Sequence, residues 1–578
     1  MAIRNYENFI KDSSYSIKFD SVIFKDDRIT LSNFLFNKLD DGKIINTFSI
    51  PQFNLQGLSW DDLVFEKRLK AEQAIMFNPH ISYTVSNKVR NKNIFQSLGA
   101  INDYMDLKYL DIEKGTIDLK LKNNLHVELE NADVSVQSNS LLTSTKLSGI
   151  KNSLTNLKFK NGRIQAGKLI MELSDIYYIG KSGRFAAGSI TIKSREKNIN
   201  INLQEVVVNK MQVNEVSGNI FADGINWQKA DVVIKPGPDK NNDVASIIDL
   251  KNVRGSNTSF NGIIAGKTIS TKLSSISFNE LIKNPSAKLI IDGLDIAGTQ
   301  LNVNDNNLNF SVAEYEITDN ALSEFRRITF KNNNARMEAD ISIRSLTAVP
   351  HIQALLNGKI SVDGIDIIKP VVQFHLRTAV SSDNKKIKFP VTDIGKIKLQ
   401  QPSVEFILAN DSNSVLLKWN GEKNKSDYLQ ADNLSTDNRI TSTGNLDFYL
   451  TDFIYSDSKG KNFSTGEGKV AAQIKNIKLE KEEGLPAEWS ANVSGFDTRD
   501  FRLDSIGKSK SNLVLNSGSL SNLNISSSTL LNFQKLASAN NDFQLKQFTG
   551  SYGNQNTNLK WHNAGFNRNT NVFTLDSF

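Results

Sequence analysis

The sequence predicts a mostly β protein built by stacking similar units, with only a few short helices. Three observations carry this. The first is a segment that occurs three times with one internal spacing. Leu69, Ala71, Ala74, Met76 and Pro79 recur as Leu289, Ile291, Leu294, Ile296 and Thr299, and again as Ile360, Val362, Ile365, Ile367 and Pro370. Glu72, Asp292 and Asp363 fall on one equivalent position. Repetition of this type stacks supersecondary units along an axis and places function on a continuous surface. The second is strict apolar–polar alternation, as in Ser16 to Val22, Thr116 to Leu121, Asn198 to Leu203 and Ser403 to Phe406, which puts apolar side chains on one sheet face. The third is punctuation: ten prolines only, with Asp41-Gly42, Asn161-Gly162, Asp292-Gly293, Asp363-Gly364 and Asn420-Gly421 read as turns between strands.

Helices are expected at three places. Ser59 reads as an N-cap with Asp62 three residues on, opening a helix over Trp60 to Glu66. Ser277 with Glu280 repeats the arrangement before Phe278 to Lys283, and Asn93 to Met105 is the third. A shorter pattern sets a strand, a Pro or Gly break and another strand in succession. It runs through Ala74-Met76-Pro79-Ile81-Tyr83, Leu110-Ile112-Gly115-Ile117-Leu119 and Leu157-Phe159-Gly162-Ile164. It returns in Ile365-Ile367-Pro370-Val372-Phe374 and Ile397-Leu399-Pro402-Val404-Phe406. Pro and Gly at these points interrupt regular pairing. The copies at Pro79 and Gly115, and those at Pro370 and Pro402, form two doublets. Pro236 to Asn242 and Ala379 to Lys386 read as loops.

Composition narrows the function. The chain has 69 basic and 62 acidic residues, a net charge of +7, and the charges are scattered. A scattered surplus fits a solvated surface with a mild preference for anionic headgroups. It lacks the basic stripe with interleaved aromatics that nucleic-acid binding requires. Cysteine is absent, which excludes disulfides, thiolate metal sites and cysteine nucleophiles. No stretch reaches the ~18–20 apolar residues needed to span a bilayer, and Met1 to Tyr15 lacks the pattern of a signal peptide. The ending at Asp576-Ser577-Phe578, within a strand pattern, suggests a piece of a longer chain.

A search for chemistry finds none. His80, His126, His351, His375 and His562 show no metal-ligand spacing and read as solvent-facing strand residues, so no metal or other cofactor is expected. Asp61-Asp62 suits a helix N-terminus, and Asp26-Asp27 suits a turn. There is no nucleophile elbow, phosphate loop or zinc-protease helix, and the chain is expected not to be an enzyme. Phe19, Phe24, Phe34, Phe36, Phe48 and Phe53 alternate within the first sixty residues. They fit either a sheet core or the lining of an apolar channel.

The run FSIPQFNLQGLSWDDLVFEKRLKAEQAIMFNPHISYTV, followed by NIFQSLGAINDYMDLKYLDIEKGTIDL, resembles the N-terminal module of AsmA-like bacterial envelope proteins. ALLNGKISVDGIDIIKPVVQFHLR repeats its first half, and the tail NQNTNLKWHNAGFNRNTNVFTLDSF is similar to large Bacteroidota members. The resemblance covers residues 1–180 and 270–410 best. It implies a long, twisted, repetitive antiparallel β-sheet curled into a taco-like groove. In this reading 1–180 is the N-terminal module, 181–350 a groove segment and 351–578 further groove repeats. The implied role is non-catalytic: phospholipid or another acyl-chain lipid moves along the groove between inner and outer membrane. The implied location is the periplasm, with an inner-membrane helix lying outside this chain. The groove positions it points to are Ile17, Phe19, Ile117, Leu119, Ile164, Val372, Phe374, Val404 and Phe406. The competing expectation is a structural or adhesive surface β-solenoid with a dry core. A glycan-acting β-helix would instead need two carboxylates converging in a cleft.

Overall fold

A computed structural model describes residues 15–40, 43–65, 69–84, 105–121, 125–138, 153–194, 199–213, 219–235, 247–264, 266–284, 289–334, 337–377, 391–409, 414–436, 442–458, 462–465, 468–480, 488–506, 511–526, 544–553, 558–567, 570 and 572–576. These residues form 36 strands, the short α-helices Trp60–Phe65 and Ile352–Leu356, and a 3-10 turn at Gly421–Lys423. The mostly β, stacked character read from the sequence is therefore present. Contacts divide the chain into two units, Met1–Ile264 with Leu273–Ile291, and Ala265–Lys272 with Asp292–Phe578.

The sheet is mixed, which corrects the antiparallel expectation. Most neighbours whose register is resolved among the described residues are antiparallel, but three strand sets of these pair in parallel. Leu69–Phe77 and His80–Thr84 lie along Met105–Leu121 at a constant offset of 36 residues, from Leu69 with Met105 to Thr84 with Lys120. Ile360–Arg377 lies along Thr392–Gln400 and Ser403–Ala409 at an offset of 32, from Ile360 with Thr392 to Arg377 with Ala409. Ile220–Trp227 and Lys229–Ile234 lie along Ile248–Ile264 at an offset of 28, from Ile220 with Ile248 to Ile234 with Gly262. The first two offsets are the doublet spacings of the sequence: each doublet is a parallel pair, with break beside break. At the first break Asn78 N–H donates to Glu113 O and Thr116 N–H to Pro79 O, both at 2.8 Å. Parallel neighbours need a crossover connection. The connecting stretches, including the expected helix at Asn93 to Met105 and the expected loops Pro236 to Asn242 and Ala379 to Lys386, lie outside the described residues apart from Met105, which opens a strand.

The repeat spacing itself has a backbone cause. In a regular strand, apolar side chains two residues apart share a face, so the three-residue steps in the pattern would invert the face. A residue in the left-handed region restores it. Register runs unshifted past these positions, as in Ile343 with Pro370 and Ser345 with Ile368, so each is a backbone kink, here called a bulge, and not a two-against-one insertion. In the strand Ile360–Arg377 the second such step is taken at Lys369, whose φ is 50°. In Leu69–Thr84 it is taken at Asn78, with φ 47°. The ordinary alternation then resumes as Ile81, Tyr83 and Val372, Phe374.

These bulges line up from strand to strand within each unit. In the first unit left-handed residues stand at Asn33, Asn78, Lys114, Asn131, Asp175 and Glu205. Asn33 lies across from Pro51, bracketed by Ser32 with Gln52 and Phe34 with Ile50. Glu205 lies across from Gly188, bracketed by Ala187 with Val206 and Ser189 with Gln204. In the second unit they stand at Gln300, Arg327, Lys369, Gln401, Asp452 and Asp500. Many of the most buried side chains sit beside these lines: Ile50, Pro79, Ala132 and Ile176 in one unit, Val312, Pro402 and Thr498 in the other. The core of each unit is thus a strip along its bulge line. Asp427 belongs to that strip. Its buried carboxylate accepts the Trp419 indole N–H, the Thr451 N–H and the Thr451 hydroxyl, each at 2.9 Å, and so ties strands together.

Two further expectations divide. The helix at Trp60–Phe65 forms, with Ser59 Oγ accepting the Asp62 N–H at 3.4 Å and Asp61 and Asp62 in its first turn. Phe278 to Lys283 is instead the end of the strand Lys267–Lys283. Strand pairing that includes the alternating Ile276 and Phe278 overrides a capping-box spelling of only two turns, too short to hold as an isolated helix. The corresponding helix of the later repeat, Ile352–Leu356, was not signalled by any cap. Of the glycine dipeptides, Asn161-Gly162 and Asp363-Gly364 lie within strands and are not turns, and Asp41-Gly42 lies outside the described residues.

Candidate functional site: apolar rows beside the bulge line

On each side of the bulge line, apolar residues meet as register partners and form rows running across the strands. In the first unit one row is Val22, Leu31, Phe53, Met76, Ile112, Val134, Leu157, Tyr178, Phe185, Val208 and Ile225. The row on the other side is Tyr83, Leu119, Val127, Ile164, Met171, Ile192, Ile201, Val232 and Phe260. Both rows belong to one face. Val134, Leu157 and Phe185 from the first, and Leu119, Ile164 and Met171 from the second, pack against the same cluster of Phe159, Ile176, Ala187 and Val206.

The second unit repeats the plan with more aromatic side chains. Tyr315, Phe325, Leu346, Ile367, Leu399, Leu429, Phe448, Ala472, Phe496 and Leu520 form one row. Across the bulge line run Phe310, Phe330, Ile341, Val372, Val404, Trp419 and Phe453. Beside them run Ala339, Phe374, Phe406, Leu417, Tyr455, Phe463, Leu503 and Leu513. Phe448 and Phe496 share the cluster of Val470, Phe501 and Leu515 with Phe463, Leu503 and Leu513, so both sides again face one interior.

The rows differ from the bulge-line strip in burial. Ala132 and Val312 are closed off, whereas most row residues, Ile164, Ile192, Val372, Phe374, Val404 and Phe406 among them, are half-buried. Cross-strand apolar and aromatic pairs stabilise a sheet, yet these row residues are only half-buried among the described residues.

Most of the groove positions expected from sequence fall in the rows. Ile117 is buried, the partner of Ile81 and Leu129. Leu119 and Ile164 share a row with Val127 between them. Val372 pairs directly with Val404, and Phe374 with Phe406, whose rings stack 5.5 Å apart at 6°. Parallel register at an offset of 32 brings identical residue types side by side. Ile17 pairs with Phe36 at the backbone. Phe19 is half-buried between the strands Tyr15–Lys18 and Ser21–Lys25 and joins neither row. Sequence reading missed the parallel set at 220–264, although its signal is there: Ile220, Ala222, Ile225, Trp227 and Ala230 have the spacing of Leu69 to Pro79.

Tyr315 places a polar group in this interior. Burial pushes its phenol above the usual tyrosine range, opposed by a 2.5 Å hydrogen bond with the Thr271 hydroxyl. No family model matches this chain, and no curated protein sequence matches it significantly. No helix among the described residues is long and apolar enough to cross a membrane.

Proposed function

We propose that this protein holds acyl-chain lipids along the apolar rows and lets them move lengthwise across the strands, in a groove whose floor is the bulge line. The observation that carries the reading is the pairing of unbroken apolar rows with incomplete burial. A chain molecule lying along a row gains about 0.8 kcal/mol for each methylene it buries, and neighbouring strands ~4.8 Å apart offer a near-uniform path. Nothing in such a path needs a reacting group, so the role proposed is carriage, not catalysis. The resemblance to AsmA-like envelope proteins adds the setting: the periplasm, with phospholipid passing between inner and outer membrane. A dry-cored surface solenoid would bury its rows as completely as Ala132 and Val312 are buried, and the half-buried rows favour the groove over it.

Native mass spectrometry with lipid extraction, on protein purified from its own envelope, tests this. Co-purifying phospholipid is expected, and it should be lost when Phe374→Asp and Phe406→Asp are combined in a protein that keeps its β circular dichroism. A folded wild type free of lipid would reject the proposal in favour of the solenoid.

A further inference from the structure

The polar face of the same sheet carries a group of side chains that the apolar rows leave unused. Ile117 and Leu119 point to the interior, so alternation turns Asp118 and Lys120 outward, together with His126 and Glu128 on the adjoining strand. Register sets Asp118 opposite Glu128 and Lys120 opposite His126. His126 Nε2 lies 2.7 Å from Asp118 Oδ1 and 3.4 Å from Glu128 Oε1. One ligand atom from each of the three residues falls within 4.8 Å of the others.

Two carboxylates directly opposed across a strand pair repel each other, and here both converge on one imidazole nitrogen. A single proton on that nitrogen can be donated to only one of them. A dication in its place would engage both oxygens and the nitrogen together. We propose that Asp118, His126 and Glu128 form a binding site for a divalent transition metal of the zinc and cobalt type. One imidazole and two carboxylates suit such an ion, and side-chain exposures of 29%, 29% and 43% leave room for water to complete its coordination. Binding requires the Nε2 lone pair, so a proton held there passes to solution from the charged ring, or is replaced by one on Nδ1 in the neutral ring, as the metal enters.

The surroundings predict a competitor. Lys120 Nζ lies 3.8 Å from Asp118 Oδ2 and occupies part of the negative field that the metal needs. Arg163 stands opposite Glu128, Gln165 opposite His126 and Ser82 opposite Asp118. Sequence spacing concealed the group, because its members come from two strands of a hairpin and not from one helix turn.

The test is titration of the full chain, stripped with chelator, with Co²⁺ followed by visible absorption and with Zn²⁺ followed by calorimetry. One equivalent should bind. His126→Ala should weaken it by at least ~10-fold, the scale of losing a metal-site contact. Lys120→Met should tighten it several-fold while leaving every ligand in place, an effect that adventitious binding at His80, His351 or His375 would not show. If His126→Ala does not fold, Glu128→Gln and Lys120→Met carry the test, with opposite signs expected. Absence of binding, or affinity unchanged in Glu128→Gln and Lys120→Met, would overturn the proposal.

Discussion

The segments 289–299 and 360–370 share one spacing of apolar residues, yet they build different structures. The later one follows a helix, Ile352–Leu356, runs as a continuous bulged strand and pairs in parallel with the strands beginning at Thr392. The earlier one is cut into Ile290–Asp292 and Asp295–Asn304, pairs antiparallel with Leu308–Thr318, and follows a strand where a helix was expected. The break also moves: the left-handed residue is Lys369, just before Pro370, in the later segment and Gln300, just after Thr299, in the earlier one. The shared spacing therefore fixes neither the break nor the strand alongside. What separates the two is the second half of a doublet: Pro370 has Pro402 at the offset of its parallel partner, whereas Thr299 faces Glu314 on a hairpin neighbour.

The largest effect that could break this comparison comes from deleting bulge residues. Removing Lys369 should turn Pro370, Val372 and Phe374 onto the polar face, at about 1.5–3 kcal/mol for each large apolar side chain exposed. Thermal unfolding should show a lost or strongly lowered transition. Removing Gly293, whose preceding strand is only Ile290–Asp292, should cost far less. Equal effects would mean that the two spacings do the same work.

A smaller change sharpens the first doublet. A Cβ at Gly115 would lie 2.6 Å from Ile112 Cγ2 and 3.2 Å from Pro79 Cγ. Gly115→Val should therefore destabilise the first unit by about 1–3 kcal/mol through overpacking, measurable by chemical denaturation. Smaller again, and of opposite sign, Lys369→Gly should raise stability by about 0.5–1 kcal/mol, because glycine accepts φ of 50° without the steric penalty of a Cβ.

The earlier segment has its own signature in Tyr315, the partner of Gly298. Burial raises its phenol above the ordinary tyrosine value of about 10. A raised folded value means full stability below pH 10, lost as the pH climbs through the folded value. Wild type should lose stability over that alkaline range more steeply than Tyr315→Phe, and identical pH profiles would contradict the assignment. The least effect is expected at the Glu72–Lys108 ion pair of the first doublet, 3.6 Å apart and well exposed on both sides. Glu72→Ala should shift stability by less than about 1 kcal/mol.

Much of this architecture was legible from residues alone. Alternation identified strands, Ser59 with Asp62 identified one helix, and the Pro79–Gly115 and Pro370–Pro402 spacings turned out to be parallel register. The rest was hidden for physical reasons. A bulge inverts alternation locally, so Asp363-Gly364 reads as a turn although it continues a strand. Ser277 with Glu280 spells a helix cap, but two turns cannot outweigh the pairing of a 17-residue strand. The rows could be foreseen at Val372, Phe374, Val404 and Phe406, where a short repeat aligns like residues. They could not be foreseen at Ile192, Ile201 and Val232, whose adjacency depends on antiparallel register that spacing does not reveal.

The proposed function requires lipid to contact one face of each strand beside the bulge line and not the other. A photo-crosslinking amino acid placed singly at Ile164, Ile192, Val372 and Val404, and at their outward neighbours Arg163, Thr191, Gln373 and Glu405, tests it in the cells that naturally make the protein. Lipid adducts at the first four positions and none at the second four are predicted. Adducts on both faces alike, or on neither, would contradict the account.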